Sequence, residues 1–204
     1  MKVLVFGDSI VRGAYLPKGS WVQRIASQHL ESSGGEVEIV NLGAGGDTLQ
    51  GLIGRLVSDV KVHNPKPTET VLVVAIGTND SLFRKGVEDT HYDDFVQNLP
   101  KLLALAKSVT QKVLFVGFTG VDEANCMPLA DSSTGKCYSN ERLGWFEQAL
   151  QTFCAINGVP MVPVHEAFRA EQAKRQLVVG GLHPNNAGQD LIASLVKPVL
   201  EKLL

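Results

Sequence analysis

A serine, a glycine-rich turn, an asparagine and a histidine stand along this chain where each could serve one reaction. Ser9 follows Gly7 and Asp8 directly after an apolar run, and Gly43, Gly45 and Gly46 lead into Asp47 and Thr48. Asn79 lies in the stretch Gly77, Thr78, Asn79, Asp80, and His183 in Gly180, Gly181, Leu182, His183, Pro184, Asn185, Asn186. A hydroxyl is a weak nucleophile near neutral pH and needs an adjacent base, and imidazole titrates close enough to neutrality to be one. Attack on an ester carbonyl creates an oxyanion, which backbone N–H groups and a side-chain amide stabilise, each donor worth about 10²- to 10³-fold in rate. Together these residues supply nucleophile, base and oxyanion donors for acyl transfer. Singly each has a plainer reading: turns at 7–9 and 77–80, a tight lead into a helix capped by Thr48, and a helix start whose proline sets its angle.

The elements that must position them alternate between short apolar runs and longer amphipathic ones, the pattern of a parallel sheet covered by helices on both faces. Strands are expected at 2–6, 36–42, 70–77, 112–118 and 159–164, and helices at 20–32, 48–62, 92–109, 139–157 and 186–203. In the third helix Leu99, Leu102, Leu103, Ala106 and Val109 recur at helical spacing and read as core. Gly34 and Gly35 fit a left-handed helix ending, and Pro65 with Pro67 marks the link into the third strand. In an open parallel sheet ligands bind beyond the carboxyl ends of the strands, where three of the four stretches fall, the fourth opening the last helix. The irregular segment 119–138 is open between a substrate-side loop and a surface excursion.

Nineteen basic residues against 21 acidic ones, with no basic stripe, argue against nucleic acid as a partner. With 204 residues the chain is read as one domain, 1–204. No apolar run approaches the roughly 20 residues of a bilayer span, so no integral membrane segment is expected. The few apolar residues between Lys2 and Gly7 are too short for a secretory h-region, which gives a cytoplasmic expectation. His29, His63, His91 and His165 are scattered, no metal-ligand spacing occurs, and neither metal nor cofactor is expected. Of three cysteines, Cys126 and Cys137 are placed to pair across the irregular loop, but free thiols are favoured.

The four stretches, in this order and at these positions, resemble the sequence blocks of GDSL/SGNH hydrolases over essentially the whole chain. The resemblance implies Ser9 as nucleophile, His183 as general base, and an oxyanion hole of Ser9 N–H, Gly46 N–H and the Asn79 amide. It implies a flavodoxin-like three-layer α/β/α sandwich around a central, mostly parallel five-stranded sheet, and structural roles for Asp8 and Asp80. The implied partner is a small ester or thioester, with acetylated sugars and lysophospholipids also compatible, and the oligomeric state is open.

One position departs from the family pattern, whose last block reads DxxH. Gly180 stands where the aspartate would be. In serine-protease triads loss of that carboxylate costs about 10⁴-fold while leaving residual catalysis. Three accounts stay open: a backbone carbonyl near Gly180 or a water orients His183; a carboxylate from elsewhere reaches it, with Glu166 and Glu171 the nearest in view after the fifth strand; or the chain is an impaired relative that binds acyl or acetylated-sugar ligands. Arg12, Leu49 and Phe83 are expected near the mouth, without a role. A phosphate-binding loop at 43–48 is the competing reading, but it lacks the P-loop lysine and the third glycine of GxGxxG.

Overall fold

The structure, a computed structural model, describes residues 1–13, 16–33, 36–65, 69–129 and 133–204, and of 29–33 the backbone only. The expected helix ending at Gly34 and Gly35, and Pro67, lie outside the described residues. In chain order the elements are β1 (Lys2–Gly7), α1 (Ser9–Arg12), α2 (Trp21–Ser33), β2 (Glu38–Gly43), α3 (Leu49–His63), β3 (Thr70–Ala75), β4 (Phe83–Arg84), β5 (Val87–Glu88) and α4 (Tyr92–Lys107). There follow β6 (Val113–Val116), α5 (Glu123–Cys126), β7 (Lys136–Cys137), α6 (Asn140–Ile156), β8 (Met161–Val162), α7 (His165–Gln172), β9 (Val178–Val179), β10 (His183–Pro184) and α8 (Asn186–Leu200).

Five strands form one parallel sheet in the order β2-β1-β3-β6-β8. Parallel neighbours require crossovers, and the crossover helices cover both faces, which is why β1, β3 and β6 are almost uninterrupted apolar runs. Alternate residues of β1 divide between two cores. Leu4 and Phe6 pack with Leu72, Val74 and the inner faces of α3, α4 and α6, while Val3 and Val5 pack with Val71, Val73 and the inner faces of α2 and α8. The result is the expected three-layer arrangement.

The anticipated helices form within a residue or two of their expected limits, except the last, where α8 gives way to a 3-10 turn at Glu201–Leu203. Thr48, Ser139 and Asn185 each accept a hydrogen bond from the backbone N–H three residues on, ordinary N-capping chemistry. The fifth strand is shorter than expected, two residues rather than 159–164. Pro160 and Pro163 bracket it, and proline has no N–H to give a ladder. Sequence patterning does not foreshadow the small ribbon β5-β4-β7, the β9-β10 hairpin, or the short helices α1, α5 and α7.

Buried Glu147 of α6 closes the far side of the sheet's carboxyl edge. Its carboxylate accepts from the N–H of Phe118 at 2.7 Å, of Val164 at 3.2 Å and of His165 at 3.1 Å. These amides have left the strand ladders and need an acceptor. Glu147→Leu would leave all three unpaired, at about 3 kcal/mol in sum. Thermal unfolding should show a midpoint lower by about 6–12 °C, with Glu147→Gln intermediate; an unchanged midpoint for both would remove Glu147 from this role.

Candidate active site

Ser9 is the first residue of α1, launched by the sharp turn after β1. Asp8 caps that helix, its Oδ1 accepting from Ile10 N at 2.8 Å. The loop after β2 passes so close that a Cβ on Gly43 would lie 2.3 Å from the Arg12 amide nitrogen, which reserves that position for glycine. From the other end of the chain, β10 brings His183 opposite Val179 of β9. Ser9 Oγ and His183 Nε2 are 3.0 Å apart, a hydrogen-bond distance across 174 residues of sequence.

Both side chains line a cleft of about 210 Å³ with Arg12, Gly45, Gly46, Asn79, Leu129, Lys136, Tyr138 and Leu182. All the anticipated site residues thus come together. Asn79 is clamped, its Nδ2 donating to Asp47 O at 2.9 Å and its Oδ1 accepting from Tyr138 OH at 3.2 Å, which leaves one amide hydrogen uncommitted. Among the described residues no acceptor takes the N–H of Ser9 or of Gly46.

Carboxylates crowd the buried side of this site. Burial, opposed by the Ile10 and Thr78 hydrogen bonds, pushes the Asp8 carboxyl up to about 7. Burial likewise raises Asp80 to about 6, although it accepts from Leu49 N at 3.0 Å. Asp47 is held by Arg55 Nε at 2.8 Å, and the same guanidinium donates to Asp59 at 2.7 Å and to Leu42 O at 2.9 Å. Asp80 on Leu49 N and Asp47 on Thr48 N occupy the start of α3, so a phosphate there would meet two carboxylates. The phosphate-loop reading fails on that ground.

Other expectations resolve individually. Arg12 does line the cleft, whereas Leu49 is core and Phe83 lies beneath the Arg142 guanidinium, 5.9 Å from the ring centroid. Glu166 is exposed on α7, and Glu171 pairs with Lys174 and Arg175, so neither is engaged with His183. Gly180 turns at φ 59°, and a Cβ at this position would meet no heavy atom within 4 Å. Of the described part of the segment 119–138, Leu129, Lys136 and Tyr138 line the cleft. His165 is buried with Nδ1 3.3 Å from Thr119 O, and burial lowers its pKa, so it packs as a neutral ring. Cys126, Cys137 and Cys154 are free.

Sequence reasoning missed Arg55 and Tyr138. Arg55 is the one cation beside the apolar positions Leu52 and Leu56 of α3, a signal in principle; Tyr138 gave none before the fold placed it. Among the described residues no group of three His, Cys, Asp or Glu could hold a metal, and no helix is long and apolar enough to cross a membrane.

A family model described as GDSL-like lipase/acylhydrolase matches residues 5–191. No curated protein matches. Among solved structures, a lipolytic G-D-S-L family protein from Veillonella parvula is 22% identical, with 99% of each chain covered and a TM-score of 0.75. The lipase/acylhydrolase from Enterococcus faecalis is 22% identical over 98% of this chain and 95% of that one, with a TM-score of 0.76. Axe2, an acetylxylan esterase from Geobacillus stearothermophilus, is 17% identical over 99% of this chain and 93% of that one, with a TM-score of 0.74.

The raised pKa of Asp8 fixes a stability slope. The folded state holds this proton more tightly than the unfolded chain, whose carboxyl titrates near 3.8, so stability falls as pH rises from about 4 to about 7. Asn caps equally well and carries no charge. Asp8→Asn should therefore raise the unfolding midpoint more at pH 8 than at pH 4.5; equal differences at the two pH values would contradict the assignment.

Proposed function

The chain belongs to the GDSL-like lipase/acylhydrolase family, and from that premise we propose that it hydrolyses carboxylic esters through an acyl-enzyme on Ser9, with His183 as general base. The observation that carries the reading is the 3.0 Å contact between Ser9 Oγ and His183 Nε2, beside uncommitted N–H groups on Ser9 and Gly46. As Oγ attacks the carbonyl carbon, Nε2 takes the hydroxyl proton. The carbonyl oxygen becomes an oxyanion facing Ser9 N–H, Gly46 N–H and the Asn79 amide, whose orientation the Asp47 carbonyl and Tyr138 hydroxyl hold fixed. Collapse expels the alcohol, which takes the proton from His183. Water then attacks the acyl carbon, His183 accepts its proton, and Ser9 recovers that proton as the carboxylic acid leaves.

Position 180 contributes no carboxylate to this cycle. The left-handed turn there suits glycine and carries the chain between β9 and β10, the ladder that sets the backbone of His183. The same departure from the family's DxxH block leaves a second reading, a relative that binds acyl or acetylated-sugar ligands with little turnover.

The cleft is small beside the roughly 300–1,000 Å³ of ordinary ligand pockets, which favours a short acyl group such as acetyl. The acetylxylan esterase among the structural neighbours accords with that choice. p-Nitrophenyl acetate should be turned over with kcat/KM at least about tenfold above the octanoate, a discrimination of about 1.4 kcal/mol. Ser9→Ala should lower acetate turnover by about 10³-fold or more. Rates rising with chain length would reverse the acyl assignment, and native turnover equal to Ser9→Ala would establish the non-catalytic reading.

A further inference from the structure

The cleft has a charge pattern that none of the hydrolytic steps uses. Among the described residues, Arg12 and Lys136 line it and no carboxylate does. Arg12 ends α1 three positions after Ser9, so their Cβ atoms share one helix face about 5–6 Å apart. Its guanidinium lies over the glycine turn: a Cβ on Gly45 would sit 3.3 Å from Nη1 and 3.5 Å from Cζ. That contact aims the charged end along the same turn that presents the Gly46 N–H.

Most arginines of this chain are engaged. Arg24, Arg55, Arg84, Arg142 and Arg175 each hold a carboxylate. Among the described residues Arg12 holds none, and no hydrogen-bond acceptor takes its guanidinium. The nearby acids are committed elsewhere, Asp47 to Arg55 and Asp8 to the cap of α1. A guanidinium offers donors in a planar fork that matches a carboxylate or phosphate.

Resting on the hydrolase reading above, we propose that Arg12 determines specificity by binding an anionic group, carboxylate or phosphate, carried by the ester a few bonds from its scissile carbonyl. The one-turn spacing from Ser9 sets that distance. The substrate class is then an anionic short-chain ester rather than a neutral one. Gly45 takes part by leaving room for the guanidinium against its backbone.

The test compares 4-acetoxybenzoate, 4-acetoxyphenyl phosphate and the neutral methyl 4-acetoxybenzoate as substrates. Native protein should favour one or both anions over the neutral ester by about tenfold or more in kcat/KM. In Arg12→Met that ratio should fall to near one, and Arg12→Lys should retain part of it, a point charge without the fork. Whichever anion is favoured identifies carboxylate or phosphate as the group recognised. A native preference for the neutral ester, or a ratio unchanged in Arg12→Met, overturns the proposal. Should Ser9→Ala match native turnover, the hydrolase reading fails separately, and equilibrium binding of the same three compounds to Ser9→Ala and Ser9→Ala/Arg12→Met protein decides the anion site. Tighter anion binding lost with Arg12 supports it, and equal binding to the two proteins refutes it.

Discussion

Parallel strands that all end at one edge of a sheet leave backbone N–H groups stranded there, away from water, wherever the chain turns sharply into a helix. Buried carboxylates answer that need at several turns of this fold. Asp8 takes Ile10 N after β1, Asp80 takes Leu49 N at the start of α3, and Glu147 takes Phe118, Val164 and His165 beyond β6 and β8. Each carboxyl is raised in pKa, with burial as the leading cause. The sheet edge thus tolerates desolvated acid in order to hold its turns in one conformation.

Arg55 offsets part of that charge and does so with geometric effect. Its fork joins Asp47 to Asp59 and to the Leu42 carbonyl at the end of β2, and it lies 5.5 Å from the Phe6 ring centroid. Because Asp47 is fixed, its carbonyl can fix Asn79, and Tyr138 fixes the other end of the same amide. A chain of partners therefore runs from a helix cation to the amide proposed to meet the oxyanion. Such donors are useful only when already oriented before charge develops.

Much of this was legible beforehand, for physical reasons that differ by element. The long crossover helices and the central strands declare themselves because burial on both faces demands long apolar runs and strong periodicity. Ser9, Gly46, Asn79 and His183, which share one cleft, stood out as candidates because each lies in a turn at a strand end or helix start and their order resembles a known family. Pro160 and Pro163 announced a short edge strand that the apolar run 159–164 obscured. The ribbon β5-β4-β7 was not legible: its strands are two residues each, below any periodicity, and its register depends on contacts such as Phe83 with Cys137 from distant segments. Tyr138 reaches Asn79 only through that placement. Gly180 was visible as a missing aspartate, but its left-handed turn, which favours glycine on conformational grounds alone, appears only in the backbone.

An edge so thoroughly paired gives meaning to the polar groups that are not. In a folded protein an unpaired N–H or guanidinium near the surface is usually met by water, and alone it signals little. Here the neighbours of Ser9 N–H, Gly46 N–H and Arg12 are nearly all committed: Ile10 N to Asp8, Thr48 N to Asp47, Leu49 N to Asp80, and the Arg55 fork to two carboxylates and a strand carbonyl. The uncommitted groups converge on one cleft with Ser9 and His183. On the proposed reading two of these groups meet a developing oxyanion and the third a standing anion, so the packing that satisfies the fold also leaves the donors that a substrate would need.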